Sequence, residues 1–299
     1  MKIKKTEKTF LRLLCCMAAT IMTTGCIKDD LAGCKSSLPL TVRVYAQSEV
    51  ELDADEVRDV SLFIFDSDSC FIQKIDTQIG ERVTIDIPTG GDIHIVAWGN
   101  LSQSGKAYSQ PEPGDLLKNC FIELQPTTHA ATYALSPGDF FRGEITIEGN
   151  DRSGDKVLPI YREVGSMTVT VRNLKKFTGF TDDDYSIVVR ETGSNIGFDG
   201  QIFGDRVAYF QEGAFVDNNG KDEYRVPAFN MLPESSGIYI DIYYGTQRII
   251  TFSSNNTGQP ITIEKGKLTN VLIDLDTSAE AIVSISIGAW GDYAGEKEF

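Results

Sequence analysis

Histidine is nearly absent from this chain, with two residues in 299, and the familiar catalytic signatures are absent too. There is no G-x-S-x-G elbow, no phosphate-cradling glycine loop and no H-E-x-x-H pair. His94 alternates with Ile93 and Ile95, which places it on a sheet face; His129 sits in a polar Thr-Thr-His-Ala stretch that reads as loop. No catalytic residue and no cofactor are therefore expected. Metal signals are lacking as well. Asp66 with Asp68, and the run Asp182-Asp183-Asp184, do not complete a calcium loop, and the cysteine separations do not suit zinc. Positive charge is scarce, 28 basic against 43 acidic residues for a net charge of −15, which excludes polyphosphate and nucleic acid as partners. Long apolar runs are missing too. The run Leu13–Met22 falls short of the roughly 20 residues that a membrane-spanning helix needs.

What is present begins with a cationic start, Lys2, Lys4, Lys5 and Lys8, followed by that short apolar run and then small residues. This is the pattern of a cleaved export signal. Thr23-Thr24-Gly25-Cys26 resembles the lipobox of bacterial lipoproteins, with Thr23 standing where a leucine is usual. The resemblance implies a signal peptide over 1–25 and acylation of Cys26; the alternative is an ordinary secretory signal. Each buried acyl CH₂ contributes about 0.8 kcal/mol, so several chains together anchor the protein permanently. Lys28-Asp29-Asp30 resembles a short signal that sends some lipoproteins to the cell exterior; a solvated polar tether is the plainer reading. Removal of 1–25 takes away five cations and one anion and leaves a charge of −19, so attachment to a membrane must come from lipid. Cys34, Cys70 and Cys120 then remain, and the sequence does not choose among their three possible disulfide pairings.

Beyond the tether, period-two alternation dominates. Leu38–Tyr45, Val60–Phe65, Cys70–Ile75, Val83–Ile87, Ile93–Trp98 and Ala281–Ala289 alternate or run apolar, with Gly, Asn, Asp or Pro between them. Shorter strands are expected at Cys120–Leu124, Gly143–Ile147, Ser166–Val171, Tyr185–Arg190, Gly237–Tyr244, Arg248–Phe252, Ile261–Ile263 and Val271–Leu275. Helical periodicity is confined to a turn near Asp115–Lys118. The fold class is all-β, two sandwiches in tandem. A tether over 26–37 leads to an N-terminal sandwich over 38–160 and a C-terminal one over 161–299. IHIVAWGN at Ile93–Asn100 is echoed by ISIGAWGD at Ile285–Asp292, too short a likeness to establish duplication.

Several segments carry a family resemblance in their order and spacing. They are Cys26-Ile27-Lys28-Asp29-Asp30-Leu31 with Cys34 after it, VRDVSLFIFDSDSCF (Val57–Phe71) and IPTGGDIHIVAWGNL (Ile87–Leu101). YREVGSMTVTVRNL (Tyr161–Leu174), LTNVLIDLD (Leu268–Asp276) and the closing ISIGAWGD follow in place. Together they resemble the anchoring-subunit family of type V fimbriae, the FimB-like minor-fimbrium anchor lipoproteins. Departures are Cys70 near the usual hairpin glycine, His94 near the usual tyrosine, and Thr23.

The resemblance implies two transthyretin-like β-sandwiches. It also implies an outer-membrane, surface-exposed lipoprotein that holds a fimbrial shaft subunit and limits fimbrial length by strand exchange. With only about ten residues between Cys26 and the first strand, a reach of roughly 35 Å, the first sandwich should lie near the membrane and the second should face the shaft. The last strand is the expected partner contact, with Ile282, Ser284, Ser286, Gly288 and Trp290 on one face; an internal core strand is the competing reading. A different class of function is a surface glycan-binding lipoprotein of a polysaccharide-uptake system. In that reading Tyr239, Tyr243, Tyr244 and Phe252 form a platform, although strand aromatics more often fill a core.

Overall fold

The computed structural model describes residues 36–87, 91–104, 108–128, 132–151, 154–218, 221–275 and 281–290. Among the described residues the strands run in chain order β1 (Ser36–Tyr45), β2 (Val60–Phe65), β3 (Phe71–Thr77), β4 (Arg82–Ile87), β5 (Ile93–Gly99), β6 (Phe121–Glu123), β7 (Phe141–Ile147), β8 (Lys156–Arg162) and β9 (Gly165–Arg172). One short helix, α1 (Leu174–Thr178), intervenes before β10 (Tyr185–Gly197), β11 (Ile202–Glu212), β12 (Ala214–Asn218), β13 (Lys221–Met231), β14 (Tyr239–Tyr244), β15 (Gln247–Phe252), β16 (Lys267–Asp274) and β17 (Ile282–Ala289). The fold is all-β, as the alternation implies.

The first sheet has the order β3-β2-β5-β7-β8-β1-β4. Its β7–β8 ladder holds only two pairs, Phe141 with Arg162 and Arg142 with Tyr161. The reason lies in the next residues. Pro159 has no N–H to donate, and a Cβ on Gly143 would collide with the Pro159 carbonyl oxygen. The sheet folds over at this corner. Leu40, Val42 and Val44 of β1 and Leu158 and Ile160 of β8 then share one buried cluster with Leu62 and Ile64 of β2 and Ile95 of β5. Burial of each such side chain stabilises by about 1.5–3 kcal/mol, and this cluster is the core of a sandwich made from one sheet.

Two further sheets follow: β11-β10-β14-β15, which β6 joins through β10, and β12-β13-β9-β16-β17. Ile187, Val189, Ile240 and Ile242 from the one and Val169, Val171, Tyr224 and Ile273 from the other form their shared core. The change of sheet along the chain falls between Arg162 and Gly165. β6, although early in the sequence, belongs to the later sheet because Phe121–Glu123 pairs with Gly197–Asn195 of β10.

β10 reaches that far because it is bent. Its register shifts between Arg190 and Thr192, where Glu191 takes a φ of 85°, a left-handed backbone that a side chain adopts only under constraint. Beyond the bulge, β10 delivers Ile196 and Phe198 to the outer face of the first sheet. The Phe198 ring lies 4.6 Å from Phe63 and 5.8 Å from Trp98. β2 is consequently buried on both faces, which explains why VSLFIF is apolar at every position but Ser61, whose hydroxyl donates to Asp76. One apolar cluster thus runs from Phe63, Phe65 and Trp98 of the first sheet into the second pair of sheets.

Candidate functional site: a free sheet edge and the joint behind it

The expected partner-contact strand is β17, and the chain's own sheet occupies one of its sides. Lys267–Asp274 of β16 pairs antiparallel with Ala289–Ile282. Among the described residues β17 has no neighbour on its other side. Val283 is buried and Ile285 packs on the core, so the odd-numbered face points inward. Ile282, on the outer face, is 50% exposed, and Ser284, Ser286 and Gly288 are half-buried. The inward face is incompletely covered, since Ile287 remains 43% exposed. The last strand is therefore an edge strand anchored by half of one face.

Its open side has a defined hydrogen-bonding pattern. The Val283 N–H donates to the Asn256 side-chain oxygen at 2.7 Å, away from β16. Main-chain groups alternate sides along a strand, so those of Ile285 and Ile287 face the same open side. Asn256 blunts the start of the edge and leaves its latter half bare, the usual requirement for adding a strand from another chain.

Trp290 ends the strand at the joint with the first sandwich. Its ring receives the Arg162 guanidinium, whose central carbon lies 4.2 Å from the ring centroid and 4.6 Å from that of Phe141. Arg162 donates to both Asp139 oxygens, at 2.6 and 2.7 Å, and to Glu56 at 2.9 Å. Burial pushes the Asp139 carboxyl above its ordinary range, against the opposing pull of Arg162. Gln47 binds the Arg162 carbonyl, and the Gly266 N–H binds that of Val164. On the opposite side of the joint, Arg142 donates to the Phe198 carbonyl at 2.7 Å. These contacts form a polar frame around an apolar contact.

The Arg162 cluster leaves almost no mark in the sequence pattern. Its members Glu56, Asp139, Phe141, Arg162 and Trp290 are scattered over more than 230 positions. The visible trace is Arg162 itself, the residue that ends β8 after the run VLPIY.

Other expected sites fall out as follows. Cys26, Lys28, Asp29, Asp30, Cys34 and His129 lie outside the described residues. Cys70 and Cys120 are free thiols, and burial pushes Cys120 up to about 11. His94 bonds Thr146 through Nδ1 at 3.1 Å and lies 3.6 Å from Glu144 through Nε2; burial lowers its pKa. Asp182 accepts the Tyr244 hydroxyl and Asp183 pairs with Lys175, so both serve the turn they belong to. No metal-binding group of His, Cys, Asp or Glu occurs among the described residues. The aromatic set divides by face. Tyr244 and Phe252 pack on the core, whereas Tyr239 points outward under the Arg190 guanidinium, 4.2 Å from it.

Comparison with known proteins sets this geometry in context. A family model described as fimbrillin-A associated anchor proteins Mfa1 and Mfa2 matches residues 31–292. No curated protein matches the sequence. Among solved structures, the fimbrial anchor protein Mfa2 from Porphyromonas gingivalis superposes with a TM-score of 0.62 at 15% identity, over 86% of this chain and 98% of that one. A candidate polysaccharide-binding protein from Bacteroides thetaiotaomicron gives 0.63 at 14% identity, over 86% and 96%. A candidate adhesin from the same organism gives 0.60 at 15% identity, over 87% and 100%. At these identities the superpositions establish a shared fold.

Proposed function

The chain belongs to the family of fimbrillin-A associated anchor proteins, and on that footing we propose that it fixes the base of a surface fimbria to the outer membrane. The membrane end is the N-terminus, acylated at Cys26, with Lys28-Asp29-Asp30 directing the lipoprotein to the cell exterior. The sandwich over 38–160 is the spacer next to the bilayer. The sandwich over 161–299 receives a fimbrial shaft subunit and, by occupying the end of the polymer, limits its length. The family match over 31–292 carries this reading, because it spans both halves of the chain and the last strand. The free edge of β17 supplies the means of contact: unpaired main-chain groups for a partner strand and the exposed Ile282 and Ile287 beside them.

Deletion of the gene, followed by microscopy of the cell surface and analysis of the medium, tests the role. Release of fimbriae or altered length is expected, and unchanged fimbriae would refute it. Cys26→Ala tests the tether separately, by moving the protein from the membrane fraction to the soluble one.

A second reading, glycan binding at the cell surface, draws on the outward Tyr239 with Arg190 above its ring. An exposed ring beside a charged pair suits a sugar face. Retention of the full-length protein on immobilised polysaccharide, lost in Tyr239→Ala, would favour it over the anchor.

A further inference from the structure

We propose that Asn256 is a register stop for the strand that joins β17: it fills the first pairing position of the open edge and confines the incoming segment to Ile285–Ala289. This rests on the anchor reading and adds to it the frame in which the shaft subunit pairs.

The edge itself is the first support. The two halves of the chain share one strand order. β1 has β8 parallel on one side and β4 antiparallel on the other, and β9 has β16 and β13 in the same places. In the first half β7 closes on β8 through its two pairs. In the second half β15 stays in its own sheet, and β17 lies beside β16 instead. β17 thus has no counterpart in the first half among the described residues, and it leaves a row of main-chain groups open. Those groups belong to the odd-numbered residues, since the Val283 N–H points away from β16 to the Asn256 side-chain oxygen.

The turn that carries Asn256 is the second support. It is closed by its own bonds, and Asn255 makes them. The Asn255 side-chain oxygen accepts from the Thr257 N–H at 3.0 Å, the Thr257 hydroxyl at 2.8 Å and the Gln259 N–H at 2.9 Å. The Asn255 N–H donates to the Gln259 carbonyl, and the Gly258 N–H to that of Asn255, both at 2.9 Å. Gly258 supplies a φ of 80°, and Ser254 and Pro260 bridge at the base. Asn256 rides exposed on this frame, with its oxygen on β17 where a partner carbonyl would bind. A strand reaching Val283 exchanges one hydrogen bond for another and must move the turn as well. It gains nothing there. At Ile285, Ile287 and Ala289 pairing displaces no such bond among the described residues.

The same geometry describes the occupant. A row of N–H and C=O groups at the spacing of a strand is matched by another main chain. Residues directly opposed in an antiparallel pair share a face. Those opposite Ile285 and Ile287 therefore fall on the inward side, where Ile287 is still 43% exposed, and are buried there if apolar. Those between them lie with the half-buried Ser284, Ser286 and Gly288 and suit polar side chains. The occupant is an extended protein segment of about five residues, apolar at alternate positions, paired no further back than Ile285.

The test uses the full-length protein. In its isolated, detergent-solubilised form, hydrogen exchange should find the Val283 amide protected and the Ile285 and Ile287 amides fast. Asn256→Ala, which leaves the bonds of the turn in place, should speed exchange at Val283 tenfold or more. Equal protection at all three positions in the parent overturns the proposal, because another part of the chain or a second copy then covers the edge. No change at Val283 in the variant overturns it too. In cells that make the fimbria, a photo-crosslinking residue at 286 should capture the shaft subunit in parent and variant alike, as identified by mass spectrometry. One at 282 should capture it only in Asn256→Ala, and Asn256→Asp, which keeps an acceptor, should silence 282 again. A shaft adduct at 282 in the parent, or none gained there in Asn256→Ala, overturns the stop, while an adduct at 286 leaves the anchor reading standing. No shaft adduct at either position overturns the stop together with the contact at β17. Unaltered fimbriae after gene deletion remove the anchor role itself.

Discussion

Trp290 and Arg162 join the last strand of the chain to the last strand of the first sandwich, guanidinium over indole at 4.2 Å. Trp98 does the reciprocal work. It projects from the first sheet onto Phe198, which belongs to the second. The two tryptophans are the echoed residues of IHIVAWGN and ISIGAWGD, and both sit at the joint, each reaching across to the other half. A force applied at β17 thus meets a packed and ion-paired junction.

Removing the members of this junction should have unequal effects. Trp290→Ala forfeits a cation–π contact of about 0.5–2 kcal/mol together with some packing. Arg162→Ala costs more, about 3–5 kcal/mol, because Asp139 is left buried without its cation. A double-mutant cycle by urea unfolding should return a coupling of about 0.5–2 kcal/mol between positions 162 and 290. Additive effects would show that the contact carries no energy.

The corner of the first sheet gives a sharper expectation. Gly143 passes so close to Pro159 that a methyl group would meet the backbone carbonyl, which cannot swing aside as a side chain would. Gly143→Ala should therefore destabilise by about 4 kcal/mol or more, a size reserved for such backbone collisions. Thermal melting against Gly91→Ala, where an added Cβ meets nothing within 4 Å, would separate a corner effect from a general intolerance of added methyl groups. An unchanged melt for Gly143→Ala would show that the corner yields.

Much of this architecture was legible in the sequence, and the reasons for the gaps are physical. β2, β3, β5 and the Asp66–Ser69 turn read directly, because apolar runs buried on one or both faces and a turn rich in Asp and Ser leave a plain pattern. β8 and β11 to β13 did not. Pro159 interrupts β8, and the β11 run IFGDRVAYFQE places Gly204, Asp205 and Arg206 on an exposed ribbon, where alternation has no core to record. The expected strand at Ile261–Ile263 forms only an isolated bridge with Glu234, and the helical turn expected at Asp115–Lys118 is a 3-10 turn at Leu117–Asn119. The strand of the candidate site was visible by its alternation. Its status as an edge was not, because an edge is a property of neighbours.

Glu223 sets an acid limit on the third sheet. Burial alone would raise its carboxyl, but hydrogen bonds from Arg172, Arg225 and Asn218 outweigh that and hold it below its ordinary 4.5. A carboxyl whose pKa is depressed by folding stabilises fully above its unfolded value and loses that contribution as pH falls through the folded one. Glu223→Gln should lower stability by about 1.5–3 kcal/mol at pH 7, the worth of hydrogen bonds to a charged group. The gap between variant and parent should close below about pH 4. A gap of constant size across that range would mean the loss is one of shape.

The open side of β17 can be tested without disturbing the sheet it belongs to. The Ile287 N–H points away from β16, as the Val283 N–H does toward Asn256. Proline at 287 therefore removes a donor that the chain's own ladder does not use, and proline is tolerated on edge strands in that orientation. Ile287→Pro should fold, with a loss of no more than about 1–2 kcal/mol in urea unfolding, and should still fractionate with the membrane. Its fimbriae should be found in the medium, since a partner strand would lack a hydrogen bond at the centre of the contact and meet the ring in its place. Ser286→Pro is the paired control, because there the missing N–H faces β16 and the chain's own sheet should suffer. If Ile287→Pro cells keep their fimbriae at parental length, the shaft is held by some other surface, and the bare half of β17 is only where the sheet ends.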